Sequence, residues 1–122
     1  MFEKNLNIAF LLDFYGEVLS ENTRRILEMY YCEDLSLSEI AECVGISRQG
    51  VRHTVKKGEE ELSLLEEKLG LAGHHLTLVD TADRLLSLAK EVETAPKNEE
   101  RAYALAVAAR DFARLILDKG TE

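Results

Sequence analysis

The chain has 122 residues, 46% apolar and 31% charged, which is enough for one folded core with a helical extension and leaves no room for a second catalytic domain. The short apolar run at 8–12 cannot span a bilayer and is flanked by Glu3 and Asp13 instead of cations, so no secretory leader or membrane anchor is expected and the location is expected to be cytoplasmic. A net charge of −8, from 15 basic and 23 acidic residues, repels a phosphate backbone at long range, so any DNA contact must come from a local basic patch.

Apolar residues recur in steps of three and four almost throughout, and Pro96 is the one proline; the chain is expected to be all-α, without a sheet. A first helix over about residues 4 to 18 carries the stripe Leu6, Phe10, Asp13, Phe14 and Leu19, widened by Ala9 and Leu12. Ser20 is placed to cap a second helix that runs to about Tyr31, with Glu21 in its first turn and Thr23, Ile26, Leu27, Tyr30 and Tyr31 facing inward. The tyrosines and phenylalanines here follow helical spacing and are read as core.

Ser36-Leu37-Ser38-Glu39 has the form of a capping box and opens a third helix, which Gly45 ends. Ser47 then caps a fourth helix, in which Val51, Val55, Gly58, Leu62, Leu65 and Leu69 form a coiled-coil-like seam reaching Gly70. The third and fourth helices read as a helix-turn-helix: Ala41 is small where the second helix crosses, Ile40, Val44, Ile46, Val51 and Val55 wedge the pair together, and Gly45 permits the turn. Close packing is the expected reason for Gly50 and Gly58.

Gly70 and Gly73 mark a break. A fifth helix follows on Leu78, Val79, Ala82, Leu85, Leu86 and Ala89, then a loop at 93–98, then a sixth helix striped with Ala102, Leu105, Ala106, Ala109, Phe112, Ala113 and Ile116. Alanines on that stripe would let the fifth helix approach as an antiparallel hairpin over 74–119. The expected organisation is a helix-turn-helix domain at 1–70 with a long recognition helix, and a hairpin extension at 71–122.

With Val51 and Val55 turned inward, the fourth helix offers Arg48, Gln49, Arg52, His53, Lys56 and Lys57, residue types that contact base edges and phosphates in the major groove. No acid stands between Glu42 and Glu59, and Ser47 sits at the helix N-terminus, where the dipole favours a phosphate. The competing reading is a solvated cationic face that pairs with Glu59, Glu60 and Glu61. His53, His74 and His75 lack partner spacings for catalysis or metal binding, no phosphate-binding glycine loop is present, and Cys32 and Cys43 read as reduced structural thiols; no enzyme, cofactor or metal is expected.

Asp13-Phe14-Tyr15, Tyr30-Tyr31, Asp34-Leu35-Ser36-Leu37, Glu39-Ile40-Ala41, Ser47-Arg48-Gln49 and Glu66-Glu67-Lys68-Leu69-Gly70-Leu71 together resemble the YlxM-like helix-turn-helix proteins of Gram-positive bacteria. That family is similar to region 4 of sigma factors and is encoded beside signal recognition particle genes. The resemblance covers roughly residues 5 to 71, and it implies a regulatory or accessory role in that pathway. Gly50 and Arg52 stand where the family commonly has alanine and tyrosine, which bears on base or partner specificity. Two functions stay open: a dimer that binds duplex DNA and regulates transcription, or a module whose helix pair docks on a protein or ribonucleoprotein such as the signal recognition particle. A homodimer is expected because the seam Leu62, Leu65, Leu69 and the alanine-rich sixth helix exceed what one chain can cover, and it would space two recognition helices by about 34 Å, one DNA turn.

Overall fold

The computed structural model describes residues 7–117, which form six helices and no strand: α1 Ile8–Tyr15, α2 Glu21–Tyr31, α3 Leu37–Val44, α4 Arg48–Leu69, α5 Leu71–Thr94 and α6 Glu99–Leu117. Leu6, the expected start of the first helix at residue 4 and the expected end of the hairpin at 119 lie outside the described residues. Contacts divide the chain into two units, Met1–Gly73 and His74–Glu122.

Serine side chains set the helix starts in the first unit. Ser20 accepts from the Thr23 amide at 3.2 Å and Ser47 from the Gly50 amide at 2.9 Å. Ser36 and Glu39 close the capping box, with amide-to-side-chain distances of 3.1 and 2.9 Å. Gly45 takes the left-handed conformation at φ 77°, which turns α3 into α4. Asn7 caps α1, and after Tyr15 the chain tightens into a 3-10 turn, Gly16–Val18, which ends the expected long first helix early and tucks Leu19 into the core.

α4 packs on α1, α2 and α3. Leu11, Ile26, Leu27, Ile40, Val51 and Leu62 are fully buried at this junction. The closest approach is at Gly58, where an added Cβ would lie 2.5 Å from Leu27 Cδ1 and 3.0 Å from Thr23 Cγ2. Glycine is thus required by α2, whereas Gly50 meets only Ser47 and Ile46 beside it. Gly58→Ala is expected to lower stability by about 1 to 2 kcal/mol, since overpacking against fully buried Leu27 outweighs the helix propensity gained. Thermal unfolding checks this, and a raised Tm would contradict it.

Several expected core positions are not core. Val44 and Ala41 are half-buried, and Ile46, which lies between the helices, is 43% exposed, so Ile40, Val51 and Val55 make the wedge. Along α4 the inward positions are Val51, Val55, Gly58, Leu62 and then Glu66, while Leu65 is half-buried and Leu69 exposed. The inward stripe passes from Leu62 to Glu66, so of the expected seam Leu62, Leu65 and Leu69 only Leu62 is buried.

Glu66 is buried because it is fully partnered. Its Oε1 accepts from the Tyr15 hydroxyl at 2.5 Å and from the Ala72 amide at 3.1 Å, and its Oε2 accepts from the Gly73 amide at 3.0 Å. The Leu71 amide donates to the Tyr15 oxygen at 3.1 Å. The carboxylate therefore satisfies first-turn donors of α5, and its charge suits the helix dipole there. Gly70, left-handed at φ 63°, makes the turn by itself; Gly73 is helical.

The second unit holds α5 from His74 onward, the loop at 95–98, and α6. Ala108 is its buried hydrophobic residue, flanked by half-buried Leu105 and Phe112 on α6, with Leu78, Leu85, Leu88 and Val92 half-buried on α5. Ala102, Ala106, Ala109 and Ile116 are exposed, which corrects the expectation that they face α5. Alanine fits either face of a helix, so its spacing does not identify the covered one.

Candidate nucleic-acid interface

The burial of Val51 and Val55 turns the rest of the first half of α4 to solvent, and Ser47, Arg48, Gln49, Arg52, His53, Lys56 and Lys57 are all exposed. Residues four apart stack on one helical face. Arg48, Arg52 and Lys56 therefore form one row and Gln49, His53 and Lys57 a neighbouring row, over about two turns at the N-terminal end of the helix. The Ser47 oxygen is committed to the Gly50 amide, so its role here is first a cap.

The rows border shallow recesses that sequence spacing does not reveal. Leu37, Arg48, Gln49 and Arg52 line one of about 350 Å³. Tyr30, Leu37, Arg52, Val55, Lys56 and Glu59 line another of about 320 Å³. Leu37 and Tyr30 thus supply apolar surface beside the cations, of the kind that a base edge or thymine methyl can meet.

The acids beyond the basic rows are not uniformly available to neutralise them. The Tyr31 hydroxyl donates to Glu59 Oε2, which gives that carboxylate a partner on α2. Burial, with the adjacent carboxylate, pushes the Tyr31 hydroxyl well above the ordinary tyrosine value. Burial and the bond to Glu66 raise the Tyr15 hydroxyl too. Both folded-state values lie above the unfolded one, so the stability they contribute is fully present below pH 10.0 and is lost as pH rises through the folded values. The urea midpoint is expected to hold up to that pH and fall above it, less steeply in Tyr15→Phe and Tyr31→Phe; parallel curves for parent and variants would contradict this.

Cys32 and Cys43 are free, as reduced thiols are, but exposed, so they do not fill the structural role expected of them. Among the described residues there is no group of His, Cys, Asp or Glu able to hold a metal, and no helix is long and apolar enough to cross a membrane.

A family model described as "Putative helix-turn-helix protein, YlxM / p13 like" matches residues 2–103, reaching past the helix-turn-helix through α5. A UPF0122 protein of Thermoanaerobacter sp. (strain X514) is 42% identical over 95 residues, covering 75% of this chain and 81% of the relative. One from Acetivibrio thermocellus is 40% identical over 103 residues, covering 84% and 88%. One from Desulforamulus reducens is 50% identical over 64 residues, covering 52% and 55%.

Proposed function

Since the chain belongs to the YlxM/p13-like helix-turn-helix family, we propose that it is a non-enzymatic regulatory protein that binds duplex DNA by laying the basic face of α4 in the major groove. The observation that carries this reading is the exposure of Arg48, Arg52, Lys56 and Lys57 on successive turns of one helix, with no acid between Glu42 and Glu59. Gln49 and His53 stand among them as the base-reading side chains, and Arg48 and Arg52 either read guanine or clamp phosphate. A net charge of −8 makes binding dependent on this patch alone.

Fluorescence anisotropy with a pool of labelled duplexes tests the reading. Four phosphate-facing cations give a slope of about −3 to −4 in log K against log salt, so affinity falls about a hundredfold from roughly 50 to 200 mM salt. Absence of binding at the lowest salt overturns it. The overall charge and the exposed Glu60, Glu61 and Glu67 favour a second reading, in which the helix pair docks on a protein or ribonucleoprotein such as the signal recognition particle. Binding to such a particle, with none to duplex DNA, would select it.

A further inference from the structure

Leu37 and Gln49 stand in the first turns of α3 and α4, and both line the recess of about 350 Å³ that borders the basic rows. Each first turn is pinned by its own cap: Ser36 accepts from the Glu39 amide at 3.1 Å, and Ser47 from the Gly50 amide at 2.9 Å. α3 packs on α4, and the left-handed Gly45 sets the turn between them. The two positions are therefore carried on regular elements whose spacing exists before any ligand arrives. Gln49 is exposed and Leu37 is half-buried, so both side chains have surface to offer.

The described residues lining this recess are Leu37, Arg48, Gln49 and Arg52. The two arginines are donors only. Gln49 alone carries a donor and an acceptor on one planar amide, and Leu37 alone is apolar. In the major groove adenine presents the acceptor N7 beside the N6 donor, which such an amide meets with two parallel hydrogen bonds, and thymine presents a methyl group. Guanine presents two acceptors, N7 and O6, which leaves the amide oxygen without a donor. Cytosine brings an N4 donor and no methyl, and a leucine can satisfy neither the donor nor the gap.

We propose that Gln49 and Leu37 together read one A·T pair, Gln49 on the adenine edge and Leu37 on the thymine methyl. The inference rests on the reading of α4 as a major-groove helix and adds the base pair that it selects. Because the two side chains stand on different helices, the inverted pair brings each of them the wrong partner, so the pair is read in one orientation. Arg48 and Arg52 remain for phosphate or guanine.

The test selects binding sites for the full chain from a randomised duplex pool at low salt, then places base analogues in the selected duplex. At one A·T position, replacing thymine by uracil, which removes only the methyl group, is expected to weaken binding about fourfold. Replacing the adenine of the same pair by 7-deazaadenine, which removes the N7 acceptor, is expected to weaken it about tenfold. Leu37→Ala is expected to abolish the uracil penalty alone and Gln49→Ala the 7-deazaadenine penalty alone, with helicity and salt slope unchanged. A selected duplex in which no single A·T pair responds to both analogues overturns the inference without recourse to any variant. A uracil penalty that persists in Leu37→Ala overturns it as well. Both outcomes leave duplex binding standing, whereas a chain that binds no duplex at the lowest salt fails the major-groove reading itself and this inference with it.

Discussion

Glu66→Ala is expected to cost about 3 kcal/mol, a large share of the stability of a domain this size, because it strands two buried donors, the Tyr15 hydroxyl and the Ala72 amide, and takes an acceptor from the part-buried Gly73 amide. The Tyr15 hydroxyl and the Ala72 and Gly73 amides all point at that carboxylate, and Ala72 and Tyr15 are 0% and 4% exposed, so water cannot readily replace it. Glu66→Gln is expected to cost about 2 kcal/mol, since one amide oxygen cannot serve all three donors and the amide nitrogen faces other N–H groups. Tyr15→Phe removes one charge-assisted bond and the acceptor of the Leu71 amide, for a loss of about 2 kcal/mol. Urea unfolding followed by circular dichroism measures all three. A loss below about 1 kcal/mol in Glu66→Ala would show that the carboxylate does not bind the turn at Gly70 together.

The second large effect concerns binding. Arg48→Ala and Arg52→Ala are each expected to weaken duplex binding by about 1 to 3 kcal/mol, with unchanged helicity. Both side chains are exposed, unlike Val51 and Val55 on the inward face. Where an arginine touches phosphate, its removal also lowers the salt slope by about one; where it reads a base, it relaxes sequence preference and lowers the slope less. A double variant that retains parental affinity would remove α4 from the contact surface.

What the sequence made legible was local. The capping box at Ser36 and Glu39, the left-handed Gly45 and the cap at Ser47 each depend on residues within four positions, and all three are found where spacing places them. The solvent face of α4 follows directly, since burying Val51 and Val55 leaves the cations nowhere else to point. Glu66 was illegible for the opposite reason. It stands in an acidic stretch that reads as a solvated face, and its burial depends on Tyr15, 51 residues away in the chain. The leucine seam was overextended because the buried position one turn beyond Leu62 is Glu66, held there by Tyr15 and the Ala72 amide, partners that no helical repeat encodes. Ile46 has the composition of a wedge but sits in the turn, and the alanines of α6 carry no information about which side is covered. The family match extends to residue 103, beyond the stretch whose motifs mark the resemblance.

The most direct test of the central claim is a nitrogen-15 amide spectrum of the labelled chain titrated with duplex DNA at low salt. The account predicts that the largest shifts fall on Ser47 to Lys57, with smaller ones at Leu37 where α3 borders the basic rows, and that added salt reverses them. Unshifted Arg48, Gln49, Arg52 and His53 amides at saturating duplex, or shifts confined to α5 and α6, would contradict it.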